Sequence, residues 1–89
     1  MDIHEKFKDY FKAVRQKPIK LIAFLEKEGE INYLTFRRNI GERFPGASQA
    51  LSEVRKCEIS DLRRTKVTYD EVVLTWEYLS KKYKTNLNR

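Results

Sequence analysis

Side chains capable of covalent or acid–base chemistry are few and scattered in this chain. His4 is the only histidine and falls in what reads as the first turn of a helix, and Cys57 is the only cysteine. Neither has the partners in sequence that a zinc site needs, and one cysteine cannot form an internal disulfide. Gly29, Gly41 and Gly46 lie too far apart to form a phosphate-cradling loop, and no nucleophile elbow occurs. Asp70 and Glu71 are adjacent carboxylates, but the run Thr68-Tyr69-Asp70-Glu71 is a capping box, which gives Glu71 a structural role. No catalytic residue, metal or cofactor is expected. The chemistry left is recognition, and it concentrates between Gly46 and Lys56. On a helical wheel Ala47, Ala50, Leu51 and Val54 share one side, while Ser48, Gln49, Ser52, Arg55 and Lys56 face outward. That outer set can hydrogen-bond base edges and neutralise phosphates, and the same pattern also describes a solvated helix face.

With 89 residues the chain makes one domain, and its 40% hydrophobic and 12% aromatic content argues for a folded core. Lys and Arg number 19 against 13 Asp and Glu, a net charge of +6 that favours an anionic partner or an acidic protein surface. Residues 31–46 and 47–68 each carry +2, so the centre of the chain holds +4 of the +6. The longest apolar run, Leu21 to Leu25, is too short to cross a bilayer, and Met1 to Glu5 has neither a basic nor an apolar signal region. A soluble cytoplasmic protein, free or associated with the nucleoid and with no membrane partner, is expected.

The elements that must hold the central helix follow in order. Residues 2–15 read as a first helix, capped by Asp2, with Ile3, Phe7, Tyr10, Phe11 and Val14 on its apolar face. Such a helix can pack on the body or pair two copies as a homodimer. Pro18 starts a second helix through Ile19, Leu21, Ile22, Phe24 and Leu25, expected to be the most buried, which stops at Gly29. Asn32 caps a third, with Ile31 and Phe36 in hydrophobic-staple positions. That helix carries Tyr33, Phe36, Ile40 and Phe44 inward and Arg37, Arg38, Glu42 and Arg43 outward, and Phe44-Pro45-Gly46 ends it. Residues 32–57 therefore form helix, tight turn, helix. Beyond Cys57 two readings stand: strands at 58–62 and 66–68 joined through the basic tip Arg63-Arg64-Thr65, or continuation of the helix to about Arg64. Val67 and Val72 staple the start of a last helix, which runs to about Tyr83 with Val72, Val73, Trp76, Leu79 and Tyr83 on its apolar stripe and Tyr78 exposed. Residues 85–89 are expected to be a flexible tail.

This order resembles the winged helix-turn-helix family over about residues 18–84. Ala50 to Ile59 looks like the end of a recognition helix entering a first wing strand, and Arg64 to Val72 looks like a second wing strand entering a closing helix. The fold expected is thus mainly α, a winged helix-turn-helix-like domain with an extra N-terminal amphipathic helix (1–17) and a short basic hairpin. An all-α bundle of four to five helices is the alternative. The third helix is longer than the family's first motif helix, the turn contains Pro45, the wing is very short, and Glu53 lies in the recognition helix. The resemblance implies double-stranded DNA as partner. Ser48, Gln49 and Ser52 would lie nearest base edges, with Gln49 suited to adenine. Arg37, Arg38 and Arg43 would meet the backbone on one side, and Arg55, Lys56, Arg63, Arg64 and Lys66 on the other. The role implied is transcription regulator or general DNA binder. The competing expectation is a non-catalytic accessory subunit, docked on a larger protein partner in a nucleic-acid machine such as a replicative DNA polymerase.

Overall fold

The computed structural model describes residues 2–87. The chain is mainly helical, with a two-stranded antiparallel sheet. Asp2 caps the first helix as its sequence position suggests, its Oδ1 accepting from the His4 N–H at 3.0 Å. The single helix expected over 2–15 is instead divided at Phe7 into α1 (Ile3–Lys6) and α2 (Lys8–Ala13). Phe7 leaves helical dihedrals at φ −109°, ψ 20°, and its ring, 3% exposed, meets Trp76 edge-on at 6.2 Å. Ile3, Phe7, Tyr10 and Phe11 are all buried in the chain's own core. The apolar face that would have paired two copies is therefore covered.

The chain then reverses at Arg15, a non-glycine residue at φ 59°. The Gln16 N–H bonds back to the Phe11 carbonyl and the Arg15 N–H to Lys12, the paired closure of a Schellman motif. Helix α3 (Ile19–Glu28) follows and ends at Gly29, whose φ of 80° is the left-handed cap read from the sequence. It is not the most buried helix: Ile22 and Leu25 are buried, but Ile19 is 55% and Phe24 49% exposed. Six apolar residues between positions 19 and 25 span too wide an arc for all to reach one core.

Strand β1 (Glu30–Ile31) leads to Asn32, whose Oδ1 accepts from the Thr35 N–H at 2.8 Å. The expected helix over 32–44 starts as α4 (Tyr33–Phe36) and widens into a π-helical turn at Arg37–Gly41, closed by the Glu42 N–H on the Arg37 carbonyl at 2.8 Å. Phe36, Ile40 and Phe44 explain the widening. Spaced by four, they would drift by about 40° per step around an ordinary α-helix; with the wider turn between them all three are 0% exposed. Pro45 and Gly46, the latter at φ 82°, make the turn into α5 (Ala47–Arg55).

Between α5 and the last helix neither expected arrangement occurs. Lys56 ends α5 in the left-handed region at φ 56°, and a 3₁₀ helix (Ile59–Arg64) takes the place of the hairpin. Leu62 is 0% exposed while Ile59 is 44% exposed, so one apolar anchor holds a segment with too few apolar residues for a strand pair or an extended helix. Strand β2 (Val67–Thr68) pairs with β1, Ile31 opposite Val67 and Glu30 opposite Thr68. The capping box then forms as read, with the Thr68 N–H on Glu71 at 2.9 Å and the Glu71 N–H on Thr68 Oγ1 at 3.2 Å.

Helix α6 (Tyr69–Leu87) continues past Tyr83 into the stretch expected to be a tail; Asn88 and Arg89 lie outside the described residues. It packs along α5 and buries Val72, Trp76 and Leu79. Trp76 is the centre of an aromatic cluster with Phe7, Phe11 and Phe44, and meets Phe11 edge-on at 5.1 Å. Burial also pushes the Tyr10 hydroxyl up to about 12. Among the described residues no helix is long and apolar enough to cross a membrane. Because Leu62 alone anchors the 3₁₀ segment, Leu62→Ala should cost about 2–5 kcal/mol in urea denaturation. It should also speed amide exchange first between residues 58 and 66; unchanged exchange there would show that the segment is held some other way.

Candidate nucleic-acid interface

The exposed surface around α5 is built by three local features of the sequence. Gly46 lets the chain turn without a clash, Ala47 and Ala50 let α5 sit close to its neighbours, and the π turn runs beside its start. A side chain at Gly41 would stand 3.3 Å from Ser48 Oγ, so the absence of one permits that approach. Nine residues make α5 about 13 Å long. No side chain caps its first turn, and Gly46 precedes it, so the positive end of the helix dipole is left open at Ser48 and Gln49.

Most of the residues singled out from the sequence are exposed here. Arg37 and Arg38 stand on the π turn, Arg43 beyond it, Gln49 and Lys56 on α5 and at its end, and Arg63, Arg64 and Lys66 around the 3₁₀ segment; Ser48 is half-buried. Arg64 lies 3.8 Å from Asp61 and Lys66 lies 3.1 Å from Glu30, both pairs well exposed. Exposed pairs of this kind are weak and screened, so both cations stay available to an anion. Among the described residues no group of three His, Cys, Asp or Glu could hold a metal ion.

Two of the expected contact residues face inward instead. Ser52 is 7% exposed and its hydroxyl donates to the Cys57 carbonyl at 2.7 Å, closing the end of α5. Arg55, whose side chain is 12% exposed, points at α6: Nε meets Glu71 Oε2 at 2.6 Å, Nη2 meets Oε1 at 2.9 Å, and Nη2 also donates to the Lys66 carbonyl. With Nε and Nη2 engaged and the side chain largely buried against α6, Arg55 has little left to offer a phosphate. The wheel puts both residues outward because it describes α5 alone. The chain that folds back after Cys57 covers that edge of the helix. Of the candidate residues left exposed or half-buried, Arg37, Arg38, Ser48 and Gln49 lie on the π turn and the first turn of α5, and Lys56, Arg63, Arg64 and Lys66 lie at the end of α5 and around the 3₁₀ segment. Arg43 stands apart, lining a cleft with Lys17 and Lys20.

The pairing also sets the charges of the clamp. The hydrogen bond from Arg55 is the main cause holding the Glu71 carboxyl below its ordinary value of 4.5, against desolvation that pushes it up, and the bond to Glu71 likewise raises Arg55.

No protein-family model, curated protein or solved structure matches the chain.

A carboxyl whose folded pKa is depressed contributes stability that is present above the unfolded value of 4.5 and is lost as pH falls through the folded value. Unfolding midpoints in urea should therefore be level near neutrality and fall on acidification below that point. Arg55→Met should lower stability by about 1–3 kcal/mol at neutral pH, less than for a fully buried pair because Glu71 keeps some solvent. It should also flatten the acid decline; a variant as acid-sensitive as the parent would mean that other carboxylates set it.

Proposed function

We propose that the chain binds duplex DNA, with α4, the π turn and α5 acting as a helix-turn-helix and the 3₁₀ segment standing where a wing would be. The observation that carries this reading is the set of exposed cations flanking both ends of α5: Arg37 and Arg38 at one end, Lys56, Arg63, Arg64 and Lys66 at the other. Between them α5 offers Gln49, fully available for a bidentate contact with a base edge, and an uncapped first turn suited to a phosphate. The β1–β2 pairing supports the winged-helix resemblance further. It sets the strand that follows α3 beside the strand that enters α6, so the sheet closes the same segment the resemblance covers. The set of contacts is narrower than the sequence implies, since Ser52 and Arg55 hold the fold. Glu53 is exposed on α5 and would accept from a cytosine amine or repel phosphate. Whether such a protein regulates transcription or coats DNA depends on sequence preference, which the basic flanks do not supply.

A second reading, an accessory subunit docked on a larger protein such as a replicative DNA polymerase, is favoured by a different observation. Leu74 and Tyr78 lie one turn apart on the outer face of α6 and are 47% and 41% exposed, an apolar pair directed away from both the core and α5.

The two readings separate in a fluorescence-anisotropy titration with random-sequence duplex and with single strand at about 50 and 200 mM salt. Duplex binding should weaken steeply with salt, and replacing Arg37 and Arg38 together with Ala should flatten the log–log slope by about 1.8, at about 0.9 for each phosphate no longer neutralised. No duplex binding at the lower salt would sink the DNA reading. Lys56 offers an independent check. Its left-handed conformation costs about 1 kcal/mol that glycine avoids, so Lys56→Gly should stabilise the fold by about that much while weakening duplex binding. Stabilisation without any loss of affinity would remove Lys56 from the interface.

A further inference from the structure

Helix α6 turns one strip of its surface away from the rest of the molecule. Asp70, Leu74, Tyr78, Lys81 and Thr85 are all exposed, and on a helical wheel they share an arc of about 80°. Leu74 and Tyr78 form the apolar centre of the strip, at 47% and 41% exposure. Its flanks are settled within the chain. On one side the half-buried Glu77 meets Lys6 at 3.7 Å and Lys81 at 3.5 Å, and on the other Glu71 is held by Arg55. Along the helix the strip therefore reads acid, apolar, apolar, base.

That order selects the occupant. Leu74 and Tyr78 are centred level with Trp76. Asp70 lies about 9 Å from this centre toward the start of the helix, and Lys81 and Lys82 lie about 7.5 and 9 Å toward its end. Reversed, the strip complements itself. A second copy laid antiparallel across it, about a twofold axis level with Trp76, sets Leu74 against the Tyr78 of the other copy and Asp70 beside its Lys81, on the same flank of the contact. The helix dipoles oppose each other in the same arrangement. A parallel copy would bring Asp70 to Asp70 and Lys81 to Lys81. An acidic partner would suit only the Lys81 end, and a basic one only the Asp70 end. Lys81 is free to take part, because its pair with Glu77 is exposed and weak. We infer that the chain forms an antiparallel homodimer through α6, in which a second copy and not a larger protein covers Leu74 and Tyr78. One helix face from each copy makes an interface below about 1,200 Å², so the dimer is weak and exchanges with monomer. Nothing in this depends on DNA binding, since the strip contains none of the residues assigned to the surface around α5.

The test is sedimentation equilibrium of the full chain from about 10 μM to about 1 mM at about 0.15 M salt, which should show monomer passing into dimer. Leu74→Ser combined with Tyr78→Ser should weaken association about tenfold or more. The charges supply the decisive arm. Asp70→Lys alone and Lys81→Asp alone should each stay monomeric, because each sets like charges together at both ends of the contact. Mixed in equal amounts the two variants should pair, since every such contact is then Lys against Asp, and their pairing also shows that both are folded. A parent chain that is monomeric throughout would overturn the dimer and leave Leu74 and Tyr78 to a larger protein. Association unchanged by the two serines would overturn the α6 face. Charge variants with parental thermal melts that fail to pair on mixing would overturn the antiparallel register.

Discussion

Glu71 is the point at which three parts of the chain are tied together. Its carboxylate closes the capping box at the start of α6 by accepting from the Thr68 N–H, and its two oxygens accept from Nε and Nη2 along one edge of the Arg55 guanidinium from α5. Arg55 in turn reaches the Lys66 carbonyl at the entry to β2. One carboxylate therefore sets the start of α6, the angle at which the end of α5 meets it, and the path of the chain between them. As an energy term the pair is modest, because taking a guanidinium out of water offsets much of the attraction. As a geometric constraint it is strong. A bidentate contact fixes orientation as well as distance, and an apolar contact at the same place would leave α5 freer to slide. The direction in which Gln49 and Lys56 face solvent depends on it.

The larger stabilisation comes from the aromatic cluster around Trp76, and it explains why the N-terminal segment belongs to the domain. Phe7 and Phe11 from α1 and α2 meet Trp76 and Phe44, so the first two helices complete a core that the remaining elements would otherwise leave open. Burying side chains of this size contributes about 1.5–3 kcal/mol each, with about 0.5–1.5 more for a well-oriented ring pair. The kink at Phe7 and the π turn before Phe44 serve the same cluster from its two sides. Each departs from regular helix where an aromatic ring has to be turned inward.

What can be read from the sequence follows from how local each cause is. Asp2, Asn32 and the Thr68–Glu71 box cap helices where expected, and Gly29 and Gly46 take left-handed turns, because caps and turns are decided within four or five residues. Phe36, Ile40 and Phe44, Ala47, Ala50 and Leu51 on α5, and Val72, Trp76 and Leu79 on α6 are buried as their spacing implies, as Tyr78 is exposed; Val54, expected inward on α5, stays half-buried outside the core. The remainder depends on partners distant in sequence. Arg55 and Glu71 are sixteen positions apart, and nothing in the local charge pattern near Arg55 announces a carboxylate on another helix. Ser52 reads as outward because its cover comes from the turn after Cys57. The 58–68 segment is undecidable from the sequence because its one buried anchor, Leu62, satisfies neither a helical nor a strand period by itself. A cleft on the N-terminal side, over α1 and α2, is hidden from the sequence for a related reason. Its cations lie on two helices and the reversal between them, and only the fold brings the Lys8–Lys12 row beside Lys17 and Lys20.

The two backbone outliers bear on function as well as on folding. Arg15 and Lys56 both occupy the left-handed position of a helix end, at φ 59° and 56°, where glycine is the ordinary choice. Each costs about 1 kcal/mol relative to glycine, a sizeable share of the stability of a domain this small. Gly29 and Gly46 show that this chain uses glycine for the same backbone conformation elsewhere, so the two exceptions are not imposed by the turns themselves. What Arg15 and Lys56 have in common is an exposed positive charge at a helix end: Arg15 on the rim of the N-terminal cleft and Lys56 after α5. Strain retained at such positions is accounted for if the charge does something glycine cannot. On that argument the charge at each position, and not the turn, accounts for the strain. Both charges are exposed to solvent, where an anionic group can reach them.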